Sequence, residues 1–104
     1  MTKSPDIIMA LKVYILLCAD NSYYTGVAED LDYRLWQHET GFFPHCYTYY
    51  RRPVKLLWSK GFENHNEAMQ FEKRIKGWSR KKKEALIMNE INELKRLSNI
   101  KKNL

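Results

Sequence analysis

The stretch VYILLCADNSYYTG, residues 13–26, decides the fold. The run of apolar residues over 12–18 is typical of a buried β-strand. Turn residues follow at 20–22, where Asn21 tolerates a positive φ. The residues from Tyr23 to Val27 then form a returning strand, so the stretch predicts a β-hairpin. This hairpin contains more tyrosines than a β-hairpin requires for its fold. The phenols could either pack in the core or take part in chemistry.

The length of the turn decides where Tyr14 and Tyr24 point, because side chains alternate between the two faces of a strand. A two-residue loop at 20–21 would place the two phenols on opposite faces of the sheet. A three-residue loop at 20–22 would pair Cys18 with Tyr24 and place both phenols on one face, and a β-bulge would act similarly. Turn chemistry accepts either loop. A shared role for the phenols therefore requires the longer loop or a bulge.

The rest of the chain predicts three helices and one more strand. Apolar residues at helical spacing, possible N-caps at asparagine or serine, and a stop at Gly41 set their bounds. The predicted elements are a helix over 29–40, a strand over 54–62, a helix from 64 or 66 to 78, and a helix from 79 to near 99. The order β-β-α-β-α-α predicts a small α/β layer. Residues 1–11 are expected to form a lead-in, and residues 12–104 a single domain ending in the C-terminal helix.

The composition limits the class of protein. The chain has 104 residues, of which 44% are hydrophobic, enough for one core without disulfides. Cys18 and Cys46 fit no zinc or CxxC spacing. No apolar run is long enough to cross a bilayer, and no secretory signal is recognisable. These features predict a cytoplasmic protein with reduced thiols and no place in a membrane.

The net charge of +6 comes mostly from the second half of the chain, in residues 72–87 and 95–104. A basic surface favours a polyanionic partner, because neutralising phosphates releases counterions. The same charge would attract an anionic membrane surface. It is equally the composition of a solvated helix face. Charge alone therefore leaves the partner open.

Five side chains form a plausible set for phosphodiester hydrolysis. Arg34 and His38 are four residues apart and share a face of the first helix. Glu72 lies in the second helix and could hold a divalent cation, while Arg34 could fork onto phosphate oxygens. The phenol of Tyr14 or Tyr24, or the imidazole, could take a proton from water. Taken singly, each of these residues is more often a core or surface residue.

Their combination resembles the GIY-YIG nuclease family. The family's two signatures have counterparts in Val13-Tyr14-Ile15 and Tyr24-Thr25-Gly26, with Val in place of Gly and Thr in place of Ile. The segment VAEDLDYRLWQHETG, residues 27–41, is similar to the family's first-helix motif. Residues 47–87 are similar to the second half of small stand-alone bacterial members. The resemblance spans residues 12–87, most of the chain.

This resemblance implies a three-stranded antiparallel sheet flanked by helices and an endonuclease that cuts DNA with Mg²⁺ or Mn²⁺. Tyr14 and Tyr24 match the two signature tyrosines, and Tyr24 is the expected base-side group with Tyr14 orienting it. Arg34 matches the phosphate-binding arginine and His38 the helix residue one turn later. Glu72 matches the metal-binding carboxylate. A role in DNA repair or processing would follow.

The basic residues of the last two helices are expected to bind the nucleic acid. This predicted set is Lys73, Arg74, Lys76, Arg80, Lys81, Lys82 and Lys83. The family's asparagine beyond the metal-binding glutamate has no clear counterpart, since the nearest downstream candidate is Asn89. Two other functions stay open: a nucleic-acid-binding module without turnover, and a protein-interaction subunit.

The loop after Gly41 also departs from the family pattern, with FFPHC at residues 42–46. Its aromatic residues, with Tyr47 and Tyr49, could stack on unpaired bases. They could equally pack beneath the loop or form a protein interface, and we favour packing or an interface.

Overall fold

Three antiparallel strands form the sheet of the computed structural model, which describes residues 10–89. The central strand β1 (Leu11–Leu17) lies between β2 (Tyr23–Ala28) and β3 (Lys55–Phe62). The helices are α1 (Leu31–Thr40), α2 (His65–Lys76) and α3 (Arg80–Ile87), with a 3₁₀ turn at Tyr49–Arg51. The predicted α/β fold and the order β-β-α-β-α-α are confirmed. Most of the predicted lead-in, residues 1–9, lies outside the described residues, and Leu11 belongs to β1.

The hairpin between β1 and β2 has a three-residue loop, shifted by one residue from the predicted one. Leu16 pairs with Tyr24, and the Cys18 N–H donates to the Ser22 carbonyl at 2.8 Å. The loop is therefore 19–21 rather than 20–22, and the predicted pairing of Cys18 with Tyr24 is wrong. The cause is Asn21, which takes the left-handed conformation at φ 71° and closes the loop. The shift preserves the alternation, so Tyr14 and Tyr24 share a face.

Helices cover both faces of the sheet, which explains why β1 is apolar almost throughout. On one face, Tyr14 and Leu16 pack with Leu31 of α1. On the other face, Val13 and Ile15 pack against residues of α2. Alternation along β1 thus directs Tyr14 into the layer between the sheet and α1.

Local capping sets the ends of the helices. The side chains of Asp30, Asn64 and Ser79 accept hydrogen bonds from the first turns of α1, α2 and α3. Gly41 ends α1 at φ 70°.

The last helix is shorter than predicted, because α3 ends at Ile87 and Asn89 adopts φ 59°. The rest of the predicted helix, residues 90–99, lies outside the described residues. No helix in the described part of the chain is both long and apolar enough to cross a membrane.

Candidate active site

Three rings from three different elements meet between the sheet and α1. The centroids of Tyr14 and Tyr24 are 6.3 Å apart, and the His38 ring lies 5.9 Å from Tyr14 and 5.2 Å from Tyr24. The Tyr14 hydroxyl is 2.9 Å from His38 Nε2, within hydrogen-bond distance. Tyr14 is fully buried and His38 nearly so, whereas Tyr24 is half-buried. The structure thus brings together the two tyrosines and the histidine singled out in the sequence.

Gly26 makes room for the Tyr14 phenol. It pairs directly with Tyr14 across the two strands. A Cβ atom built on Gly26 would lie 2.5 Å from Tyr14 Oη and 2.6 Å from Cζ. The ring therefore lies over the bare backbone of β2, where only glycine leaves space. This role of Gly26 was not predicted from the sequence, although a glycine beside a repeated tyrosine is a usable signal.

Arg34 lies one helical turn before His38, half-buried beside the rings. Its Nε donates to Gln37 Oε1 at 3.1 Å, and one terminal nitrogen donates to the Val27 carbonyl at 3.3 Å. These contacts hold the guanidinium against the end of β2. Its charge also acts on its neighbours: it opposes the effect of burial on the pKa of Tyr14 and adds to the effect of burial on the pKa of His38.

Burial controls the protonation of this group. It raises the pKa of Tyr14 to about 12, although the charge of Arg34 acts in the opposite direction. Burial also raises the pKa of Tyr24, and the neighbouring Tyr14 adds to this. For His38, burial and then the charge of Arg34 lower the pKa. At neutral pH the site therefore holds two protonated phenols and a neutral imidazole.

Glu72 approaches the site from α2, on the other side of the sheet. Its side chain is 11% exposed, and its Oε2 lies 2.6 Å from Lys76 Nζ. Its negative charge contributes to the raised pKa of Tyr14, so α2 and the ring cluster are coupled electrostatically.

A divalent cation bound at Glu72 would have this carboxylate as its one protein ligand. Within residues 10–89, no three histidine, cysteine or acidic side chains cluster as metal ligands. Mg²⁺ often keeps several waters and needs only one or two carboxylates beside substrate phosphates. Glu72 can supply one such carboxylate once its ion pair with the Lys76 ammonium is broken.

The basic residues do not form one uniform surface. Lys73, Arg74 and Lys81 are exposed, whereas Arg80 donates to the Asn21 carbonyl at 2.6 Å. Lys82 differs from the expectation: it is 8% exposed and its ammonium lies 4.3 Å from the Trp78 ring centroid. Packing on Trp78 therefore removes Lys82 from the exposed basic face.

A small cavity of about 190 Å³ opens beside Tyr24 on the edge strand β2. Its lining residues are Tyr23, Tyr24, Thr25, Tyr47, Lys76 and Lys83. Burial and the nearby charge of Lys76 lower the pKa of Lys83. Two lysines therefore converge next to the more exposed of the two phenols.

The loop between α1 and β3 packs against the site through Tyr47 and Thr48. Tyr47 stacks on Tyr24 with centroids 6.1 Å apart, and Thr48 Oγ1 lies 2.8 Å from His38 Nδ1. Phe42 and Phe43 instead stay 52% and 39% exposed and contact one another. Tyr47 was already a candidate for stacking or packing in the sequence, whereas only the three-dimensional structure reveals the contact of Thr48 with His38.

Comparison with known proteins identifies the family. The profile of the GIY-YIG catalytic domain matches residues 11–85. The chain therefore belongs to the GIY-YIG family, a family of nucleases, and the resemblance seen in the sequence is confirmed.

Within this family the chain is similar to small stand-alone proteins called UPF0213. A relative from Bacillus velezensis is 50% identical over 74 residues, covering 71% of this chain and 74% of the relative. A relative from Natronomonas pharaonis is 41% identical over 78 residues, covering 75% and 91%. The solution NMR structure of a UPF0213 protein from Bacillus halodurans has 40% identity and a TM-score of 0.53, covering 79% of this chain and 86% of that one. This likeness agrees with the three-stranded sheet and its helices.

Proposed function

We propose that this protein is a divalent-metal-dependent endonuclease that hydrolyses DNA phosphodiester bonds in DNA repair or processing. The observation that carries the proposal is the buried hydrogen bond between Tyr14 and His38, made beside Arg34 and Tyr24. A structural core rarely needs two phenols, an imidazole and a guanidinium in one place, whereas phosphodiester hydrolysis uses all three types of group.

The two tyrosines have different access to a substrate, and this supports different roles. Tyr24 lines the cavity beside β2 and is half-buried, so its hydroxyl is the phenol that an attacking water can approach. Tyr14 is fully buried and hydrogen-bonded to His38. Its role is therefore to orient Tyr24 and His38 rather than to contact the attacking water. We therefore retain Tyr24 as the base-side residue and Tyr14 as its support. In that role Tyr24 must give up its own proton before it accepts one from the attacking water, because its phenol is protonated at neutral pH.

Arg34 and Glu72 supply the charges for the phosphate. The guanidinium is held at the end of β2, where its remaining N–H groups can fork onto phosphate oxygens. Glu72 would hold the divalent cation, Mg²⁺ or Mn²⁺, after its carboxylate is released from Lys76. When bound, such a cation polarises the phosphate and stabilises the leaving oxyanion.

Exposed cations next to the site would hold the DNA backbone. Lys73 and Arg74 follow Glu72 directly on α2 and are exposed. Lys76 and Lys83 line the cavity beside Tyr24. Such contacts bind phosphates without reading the bases, so the expected DNA preference is for shape rather than sequence.

A cleavage assay with a matched pair of glutamate variants tests this function. Single-stranded, duplex, flap and junction DNAs are incubated with Mg²⁺ or Mn²⁺ and wild-type protein, Glu72→Gln or Glu67→Gln. Glu67 is an exposed residue of the first turn of α2, so it controls for the loss of a charge on the same helix.

We expect metal-dependent cleavage of at least one DNA by the wild type. Glu72→Gln should lose at least about 100-fold in cleavage rate while binding DNA as tightly, and Glu67→Gln should cut normally. If wild-type protein binds DNA but cuts none of the substrates with either metal, the endonuclease proposal fails. The alternative of a nucleic-acid-binding module would then hold.

A further inference from the structure

The nitrogen of His38 that faces away from Tyr14 is also engaged. His38 Nδ1 lies 2.8 Å from Thr48 Oγ1 and 3.9 Å from Cys46 Sγ. Thr48 is 1% exposed, so its hydroxyl has no access to bulk water. Both residues come from the loop between α1 and β3, and neither was a candidate site residue in the sequence.

Cys46 offers the Thr48 hydroxyl an acceptor other than His38. The Thr48 hydroxyl donates to Cys46 Sγ at 3.4 Å. Burial raises the pKa of the Cys46 thiol, but hydrogen bonding, first of all from Thr48, outweighs it and lowers the pKa overall. The sulfur thus lies where it can accept the hydrogen of the Thr48 hydroxyl.

This arrangement constrains the imidazole. A hydroxyl has one hydrogen, and that of Thr48 points to Cys46. Thr48 Oγ1 therefore presents only lone pairs to His38 Nδ1, which must carry the hydrogen. A neutral imidazole with its hydrogen on Nδ1 has a free lone pair on Nε2.

We propose that Thr48 and Cys46 are positioning residues that keep the hydrogen of His38 on Nδ1, so that Nε2 accepts a hydrogen bond from the Tyr14 hydroxyl. Whether this arrangement assists catalysis rests on the proposed function; the tautomer itself does not. If Tyr14 transfers its proton, the Oη–H bond breaks as the Nε2–H bond forms. The resulting imidazolium keeps its Nδ1–H on Thr48, and the proton returns to Tyr14 by the reverse step.

Titratable and charged side chains surround His38, so the hydrogen bond at Nδ1 matters for whether the ring can take up a proton. Tyr14 faces it from β1, Tyr24 from β2, Arg34 from its own helix and Cys46 from the loop. The charge of Arg34 disfavours an imidazolium. An acceptor on Nδ1–H partly offsets that effect, because it stabilises the charged ring more than the neutral one.

The tautomer can be measured directly by ¹⁵N NMR of the histidine ring. Wild-type protein should show the hydrogen of His38 on Nδ1. Thr48→Val, which keeps the shape but removes the hydroxyl, should raise the fraction with the hydrogen on Nε2 and lower the pKa of His38. Thr48→Ser should restore the wild-type spectrum. Hydrogen on Nε2 in the wild type, or an unchanged tautomer in Thr48→Val, would overturn the proposal.

A second variant covers the case in which Thr48→Val does not fold. Cys46→Ala removes the acceptor of the Thr48 hydroxyl, which is then free to donate to His38 Nδ1. The fraction with hydrogen on Nε2 should rise in Cys46→Ala as well, and an unchanged tautomer would count against the proposal.

The consequence for activity is measured by single-turnover cleavage. Thr48→Val should lose about tenfold in rate at unchanged DNA affinity, as expected for one hydrogen bond, and Thr48→Ser should recover it. Thr40→Val is the control, since within the described residues the Thr40 hydroxyl bonds to backbone carbonyls of α1. A wild type that cuts no DNA refutes the nuclease function, whereas the NMR result separately decides the tautomer.

Discussion

Replacing Gly26 by alanine tests whether the position of the Tyr14 phenol matters. The added Cβ would lie 2.5 Å from Tyr14 Oη, whereas ordinary contacts begin near 3.4 Å, so the phenol must move by close to 1 Å. Tyr14 is fully buried and has little space to move into. Its 2.9 Å contact with His38 would break. We expect a destabilisation of about 1–3 kcal/mol and a loss of about 100-fold in cleavage rate.

The matched control is Gly61→Ala, another strand glycine. The nearest atom to its added Cβ is Ala10 Cβ at 3.9 Å, so this change meets no steric obstacle. Thermal unfolding and single-turnover cleavage are measured for both variants. The loss for Gly26→Ala should correspond to roughly 4–8 °C in Tm per kcal/mol. Unchanged Tm and cleavage rate in Gly26→Ala would refute the steric reasoning.

Three further predictions concern charge. Arg34→Lys keeps the positive charge but loses the paired hydrogen bonds that a guanidinium can donate to a phosphate. Single-turnover cleavage should therefore fall about 100-fold with little change in DNA affinity. Because His38 has a lowered pKa, the unfolded chain binds its proton more readily. Stability to urea should thus fall as the pH drops below the ordinary value of 6.5, and less so in His38→Gln. Finally, Lys73→Gln and Arg74→Gln should each lower the salt dependence of DNA binding by about 0.9 in log–log slope, unlike Lys55→Gln on the far edge strand.

The features of the fold that could be predicted were those with local causes. The caps at Asn64 and Ser79 and the left-handed stop at Gly41 depend on neighbouring residues alone. The loop of the hairpin was shifted by one residue because two placements satisfy the same turn chemistry. The observed placement also involves an ion pair from Asp20 to Arg51, 31 positions later, which no local pattern reveals.

The residues of the candidate site likewise fall into those that the sequence could predict and those that it could not. The family signatures pointed to Tyr14, Tyr24, Arg34 and His38, and the structure places them together. The partners of His38 on its other side could not be predicted, because a buried threonine in an irregular loop has no characteristic spacing. The burial of Lys82 was likewise hidden, since a lysine in a basic run shows no sign of packing on a tryptophan.

Participation of the Tyr24 phenol in hydrolysis is tested most directly by comparing substitutions at two adjacent tyrosines. Tyr23 packs on the opposite face of the sheet, where its ring lies 4.1 Å from the Arg80 guanidinium carbon. Single-turnover cleavage by Tyr24→Phe and Tyr23→Phe is compared with the wild type at saturating protein. We predict a loss of about 100-fold or more for Tyr24→Phe, with unchanged DNA affinity, and a rate within about twofold of wild type for Tyr23→Phe. Equal rates for Tyr24→Phe and wild type would contradict this role.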